Sequence, residues 1–266
     1  MFDWNVHLPC GKTDLDEQLL DEGSMQLPDL IRCFNKHYTS LSKNVSACNF
    51  MLFNSKLSLD DVSYFSQHVK TKMPGSLLTI LVDFDFEKAT SYAENLKSAG
   101  VDAIKFHCYF QKISEQLYDK ALEMSIEASK LHMPIMIDTS YGSVDMYQYD
   151  NLKLASHILR RVKNVPVVLL HSGGVRAMQA MLLAESCSNV FLDTSFSVTY
   201  YEGSSIESDL AFAYKRIGLE RVLYGSDFPY VSLEDSVAST RNFLIRNEFS
   251  KNQISAFFDR SGFLEI

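Results

Sequence analysis

Short apolar runs alternate with longer amphipathic stretches along the chain. The runs fall at about residues 2–8, 45–53, 77–84, 101–108, 133–139, 165–171, 189–194 and 221–226, each of strand length. Several, Val165-Pro166-Val167-Val168-Leu169-Leu170 among them, are almost continuous in Val, Ile and Leu. That is the composition of parallel strands covered on both faces. Between the runs, apolar positions recur at helical spacing over Leu27–Ser42, Ser58–Lys72, Glu87–Ala99, Ser114–His132, Asn151–Lys163 and Val175–Cys187. Ser58 ahead of Asp60 and Asp61 predicts a capped helix start, because a serine oxygen accepts an orphan amide and early acids suit the helix dipole. Gly100 predicts a left-handed helix stop. Eight strand–helix alternations predict an α/β fold, a (β/α)8 TIM barrel occupying residues 1–266 as one domain. A doubly wound open sheet is the alternative. It needs a glycine-rich phosphate turn after the first strand, and Pro9-Cys10-Gly11-Lys12 is not one.

Composition narrows the partners. With 266 residues and 46% hydrophobic content, the chain is long enough to bury a barrel core. Its 33 acidic against 25 basic residues give −8 at pH 7, with no local Lys/Arg cluster. That balance argues against a phosphate backbone and so against nucleic acid. The five cysteines (Cys10, Cys33, Cys48, Cys108, Cys187) are odd in number, far apart and free of CxxC pairs. Neither a disulfide framework nor a thiolate zinc site is expected, and a reducing compartment fits. The opening Met1-Phe2-Asp3-Trp4-Asn5 lacks the basic head and apolar stretch of a signal peptide. No run nears the roughly 20 apolar residues of a membrane span. The expectation is a soluble cytoplasmic protein without a membrane partner, acting on a small molecule.

Chemistry concentrates at the carboxyl ends of the predicted strands. The chain places Asn5 and His7, Asp83 and Asp85, Lys105 and His107, Asp138, His171, Asp193 and Asp227 there. In a barrel those ends share one mouth, where binding loops are built. Asn5 and His7 are two residues apart, so on a strand their side chains share a face, as do those of Lys105 and His107. Taken singly, Asp83, Asp85 and Asp193 read equally as caps of the next helix. Lys105 reads equally as a substrate contact or as the partner of Asp83 or Asp138, and Cys108 reads as packing. His7, His171 and Asp227 together suit a divalent metal or acid–base work. Asp227 is reached through Arg221-Val222-Leu223-Tyr224-Gly225-Ser226 and followed by Phe228-Pro229, so an apolar run opens onto one carboxylate and is stopped by proline. The longest irregular stretches, residues 9–26, 140–150 and 199–208, would rise around the same mouth. Tyr141, Tyr147, Tyr149, Tyr200 and Tyr201 in them would line a pocket or, equally, form a subunit interface, which leaves a homo-oligomer open.

Four segments carry a resemblance: Phe2-Asp3-Trp4-Asn5-Val6-His7-Leu8, Ile104-Lys105-Phe106-His107, Val168-Leu169-Leu170-His171-Ser172-Gly173-Gly174 and Leu223-Tyr224-Gly225-Ser226-Asp227-Phe228-Pro229. They resemble the metal-dependent hydrolases of the amidohydrolase superfamily, in the branch of amidohydrolase-2-type hydrolases and decarboxylases, over nearly the whole chain. The resemblance implies a barrel mouth holding one or two divalent ions, usually zinc, whose bound water attacks a carbonyl. It implies His7 as a metal ligand, His171 as the group that orients or polarises near the reacting centre, and Asp227 as metal ligand and proton shuttle. Two positions depart from the family pattern. Asn5 stands where the opening Asp-x-His-x-His has its first histidine, and Asp138 where strand five gives another. What remains, Asn5, His7, Asp138 and Asp227, is an oxygen-rich set open to zinc, manganese or magnesium, or to no metal. The family also includes metal-independent lactone hydrolases, in which the strand-eight aspartate is the base and nearby histidines polarise the carbonyl. That precedent fits Asp227 and His171.

The expected function is hydrolysis of a small polar or anionic carbonyl substrate, a lactone, ester or amide. Asp227 would activate water, His171 and His7 would stabilise the oxyanion, and Lys105 would hold a substrate anion with His107 and Asn5 nearby. A decarboxylase on the same scaffold is the alternative among enzymes. A barrel that has lost its chemistry and serves as a binding or regulatory protein is the alternative outside them. The converging ionisable groups weigh against that last reading, since a bare scaffold has no need of them.

Overall fold

The structure is a computed structural model that describes residues 1–13 and 18–260. Residues 14–17, within the irregular stretch 9–26, and residues 261–266 lie outside the described residues. Eight parallel strands follow one another in sequence order round a nearly closed barrel: β1 Phe2–Val6, β2 Ala47–Leu52, β3 Leu77–Leu81, β4 Ala103–Phe106, β5 Ile135–Asp138, β6 Val167–Leu170, β7 Val190–Asp193 and β8 Val222–Leu223. The (β/α)8 barrel expected from the alternation is the fold observed. Beyond Leu223 the chain meets β1 through single backbone bonds: Trp4 N–H to the Tyr224 carbonyl at 2.9 Å, Asp227 N–H to the Asn5 carbonyl at 3.0 Å and His7 N–H to the Phe228 carbonyl at 2.7 Å. These bonds pin the two strand ends that carry His7 and Asp227 side by side.

Helices Leu27–Asn44, Leu59–Lys72, Ala89–Ser98, Tyr118–Lys130, Asn151–Leu159 and Ala177–Ser186 answer the six expected from periodicity, and Ser205–Ile217, Leu233–Arg246 and Lys251–Asp259 stand where none was expected. The Ser58 side chain accepts from Asp61 N–H at 3.1 Å, and Gly100 takes φ +85° at the helix stop; both are the local devices the residue types predict. No described helix is long and apolar enough to cross a membrane.

The apolar interior has two parts. Outward-facing strand residues such as Phe50, Ile80, Ile104, Ile137 and Leu169 pack under the helices. Phe2, Trp4, Met51, Met136, Val168, Phe191 and Leu223 pack with one another as a second cluster, filling the lumen as side chains of small barrels do. The polar strand-end residues lie above this plug. A register shift between Asp3 and Val6 on β1 explains how neighbours Trp4 and Asn5 serve different purposes. Trp4 joins the plug, whereas Asn5 hydrogen-bonds Ser195 and Asp227. The expectation of unpaired thiols is corrected at one pair, because Cys10 and Cys33 form a disulfide between the loop after β1 and helix Leu27–Asn44. Their separation of 23 residues matches no spacing motif, and only the folding of the loop against the helix brings them together. Cys48, Cys108 and Cys187 are free.

Candidate active site

The barrel mouth holds a cavity of about 270 Å³ lined by His7, Glu22, Phe53, His107, Tyr109, Asp138, Ser140, Gly142, His171, Phe196, Asp227 and Tyr230. Two glycines permit its construction. A Cβ on Gly225 would stand 2.7 Å from Asp193 Oδ2, and one on Gly173, at φ +84°, would stand 2.7 Å from Ala180 Cβ. Gly225 therefore lets the last strand close on the lumen, and Gly173 lets the chain turn tightly after β6. His171, Phe196 and Asp227, all in the cavity wall, have φ of 64°, 57° and 62°. The left-handed region costs a non-glycine residue on the order of 1 kcal/mol, and this strain falls on residues that present their side chains to the cavity.

The charged groups form two linked sets. In the first, His7 lies between two carboxylates: its Nδ1 is 3.0 and 2.9 Å from the two oxygens of Glu22, and its Nε2 is 3.5 Å from Asp227 Oδ1. Asn5 Nδ2 donates to the same Asp227 oxygen at 3.2 Å and to Ser195 Oγ at 3.0 Å. In the second, Asp138 Oδ2 is hydrogen-bonded to His171 Nε2 at 3.2 Å and has Lys105 Nζ at 3.3 Å and His107 Nε2 at 3.5 Å as neighbours. Behind them Asp193 accepts from the His171 backbone N–H at 2.5 Å and from Ser195 Oγ at 2.7 Å.

Burial disfavours the charged form of every group here, and the facing charges decide which keep it. For His7 the nearby Glu22 and Asp227 outweigh desolvation and hold its pKa up at about 9. Asp138 does the same for His171, with help from Asp227 and Asp193, also to about 9. His107 goes the other way, to about 4, because burial and the neighbouring Lys105, His171 and His7 exceed the pull of Asp138. Asp138 lies well below the usual carboxylate range, because His107, His171 and Lys105 overcome its desolvation. Asp227 is lowered against desolvation by His7, His171 and Lys105. Burial raises Asp193 to about 6. At neutral pH the wall therefore presents ionised Asp227 and Asp138, cationic His7 and His171, and neutral His107.

These donors do not fit a divalent ion. Each cationic imidazole already faces protein oxygens at both nitrogens, His7 with Glu22 at 2.9 Å and, more loosely, Asp227 at 3.5 Å, and His171 with Ser195 and Asp138 at 3.2 Å. Asn5 turns its Nδ2 donor, not its oxygen, toward Asp227. The Lys105 ammonium already occupies the cation's place beside Asp138. Among the described residues, no group of three or more His, Cys, Asp or Glu is arranged to hold a metal.

The structure brings together seven of the strand-end residues singled out from sequence: Asn5, His7, Lys105, His107, Asp138, His171 and Asp227. Asp193 supports His171 from behind. Asp83 and Asp85 instead pair with Lys56 away from the cavity. Lys105, 1% exposed, lies 4.4 Å from the centre of the Phe53 ring and is not part of the cavity wall. Of its two readings from sequence, the geometry found is the ion pair with Asp138. Its Nζ makes no hydrogen bond of good geometry, so the contact is a charge pairing. The tyrosines of the wall are Tyr109 and Tyr230, and of the two readings open for Tyr141, Tyr147, Tyr149, Tyr200 and Tyr201, pocket lining is not the one the geometry gives. Tyr147 and Tyr200 are 84% and 66% exposed, and Tyr141 is tied to Arg176. Glu22, Phe53, Tyr109, Ser140, Phe196 and Tyr230 have no motif. Tyr230 lies three residues beyond Asp227, a proximity that could have exposed it, whereas nothing marks Glu22.

The match to known proteins is consistent with this architecture. Among solved structures, the chain is similar to an uncharacterized TIM-barrel protein from Bordetella bronchiseptica (TM-score 0.66, 12% identity, 97% of this chain and 95% of that one). It is also similar to a probable 2-pyrone-4,6-dicarboxylic acid hydrolase from Acinetobacter baumannii (TM-score 0.60, 12% identity, 97% and 99%) and to a 2,6-dihydroxybenzoate decarboxylase from Rhizobium (TM-score 0.60, 11% identity, 97% and 95%). At such identities the likeness speaks for the fold alone. No curated protein matches. The amidohydrolase family model matches residues 73–258, a stretch that takes in Lys105, His107, Asp138, His171 and Asp227. The chain belongs to the amidohydrolase family, in its amidohydrolase-2 group.

Proposed function

We propose that the chain hydrolyses a small, flat, polar or anionic carbonyl compound, with a lactone or aryl ester as the preferred class. The reaction uses the chain's own acid–base groups without a metal ion. The observation that carries this reading is the Asp227 carboxylate in the cavity wall, set beside the His7 imidazole at 3.5 Å and the Asn5 amide at 3.2 Å. Asp227 takes a proton from water as the water oxygen bonds to the carbonyl carbon, and the π electrons move onto the carbonyl oxygen. The positive charges of the nearly buried His171 and His7 stabilise that developing charge. Collapse of the tetrahedral species breaks the bond to the leaving oxygen, which receives the proton held by Asp227. His107, His171 and Lys105 together keep Asp138 ionised, and Asp138 in turn keeps His171 charged.

The size of the cavity and its walls of Phe53, Tyr109, Phe196 and Tyr230 suit a planar ring. Two of the proteins similar in fold, the probable 2-pyrone-4,6-dicarboxylic acid hydrolase and the 2,6-dihydroxybenzoate decarboxylase, are likewise named for planar rings, and that shape is carried over here to this cavity. The test is a panel of lactones, aryl esters and hydroxybenzoates. Hydrolysis of a lactone or ester is expected, with kcat/KM lowered about 10³-fold in Asp227→Asn. Inactivity of the wild type across the panel would sink the reading, and carbon dioxide release without hydrolysis would move it to a decarboxylase.

A further inference from the structure

Glu22 contributes to the cavity wall from a loop, whereas His7, His107, Asp138, His171 and Asp227 stand at strand ends. It lies in a short turn, Glu22–Ser24, and is 9% exposed. Both of its carboxylate oxygens face His7 Nδ1, at 3.0 and 2.9 Å, and one of them also accepts from the Tyr230 hydroxyl. The turn that carries it is fastened on several sides. Asp21 accepts from Gly23 N–H at 3.3 Å, Asn54 Nδ2 donates to the Met25 carbonyl at 3.0 Å, and Leu20 N–H donates to the Cys10 carbonyl at 3.0 Å. The Gly23 backbone also lies against Phe110, where an added Cβ would stand 3.0 Å from Cζ.

We propose that Glu22 is a positioning residue: it grips the Nδ1 edge of His7, Tyr230 latches it there, and the grip turns His7 Nε2 toward Asp227. The contact between Nε2 and Asp227 is long, 3.5 Å, and too weak to choose between the two flips of the imidazole ring. The two short contacts on the opposite edge make that choice. A group fixed in advance by a fastened turn needs no rearrangement during the reaction. The catalytic consequence rests on the hydrolase reading above; the grip itself does not.

Two measurements separate these claims. In protein labelled with ¹⁵N-histidine, with His7 identified from the spectrum of His7→Gln, the wild type should show a strongly hydrogen-bonded, downfield Nδ1–H. The signal should vanish in Glu22→Ala and return when sodium formate fills the space left by the carboxylate. Tyr230→Phe, which keeps the carboxylate but removes its latch, should retain the signal and broaden it. Absence of the signal in the wild type, or its persistence unchanged in Glu22→Ala, would overturn the grip. With whichever lactone or ester the wild type turns over, Glu22→Ala should lower kcat about 100-fold at nearly constant KM, with partial rescue by formate. Full kcat in Glu22→Ala while Asp227→Asn shows its expected loss would overturn the positioning role alone. A wild type without hydrolase activity would count against the hydrolase reading, and the His7 resonance would still decide the grip.

Discussion

His7 and His171 are charged for one physical reason, a carboxylate close enough to outweigh desolvation, supplied by Glu22 in the first case and Asp138 in the second. Both pKa values lie near 9, above the ordinary 6.5. The proton is therefore bound in the folded state and absent from the unfolded chain between these values. The stability it brings is fully present below about 6.5 and is lost as pH rises through about 9. Activity should follow the same limb. Asp227, lowered by His7, His171 and Lys105, is ionised through the neutral range, so kcat/KM should be flat around neutrality and fall as pH rises through about 9. A pH–rate profile checks this, and a rate that keeps rising above pH 9 would show that the charged imidazoles do not contribute. His7, His171 and Asp227 were legible at this scale because each ends an apolar run. Their protonation states were not, because each depends on a neighbour distant in sequence.

At the scale of elements, the eight strands could be read from their apolar runs and six helices from periodicity. The ends of β1 and β8 shorten because the register shift after Asp3 and the turn through Gly225 replace ladder pairing with isolated bonds. The loop after β1 was the illegible element. Its contribution is set by contacts between residues far apart: His7 with Glu22 across 15 positions, Tyr230 with Glu22 across 208 and Cys10 with Cys33 across 23. No spacing rule reaches such pairs. The disulfide fastens this loop to the first helix, and closing a loop of that size is worth roughly 3 kcal/mol in the chain-entropy account. Cys33→Ser should lower the Tm by roughly 6–12 °C, read by scanning calorimetry under non-reducing conditions. A Tm equal to that of the wild type, or recovery of all five cysteines as free thiols without reduction, would contradict the bond.

At the scale of the whole molecule, the barrel brings the ionisable residues of six strand ends, together with Glu22 from the loop after β1, to a single mouth, closed below by the apolar plug of Trp4, Met51, Met136 and Phe191. Family membership leads to the expectation of a metal ion, but the side chains at this mouth are committed to one another: imidazoles to carboxylates, the Asn5 amide to Asp227, and Lys105 to Asp138. The account therefore makes Asp227 the base of a reaction that runs on protein charges alone. The most direct test is hydrolysis by protein stripped of divalent ions with a chelator and desalted, its metal content verified by mass spectrometry to be far below one ion per chain. Unchanged kcat/KM in the stripped protein, with kcat/KM lowered about 10³-fold in Asp227→Asn, is the predicted result. Loss of activity on stripping, restored by zinc or manganese, would contradict it.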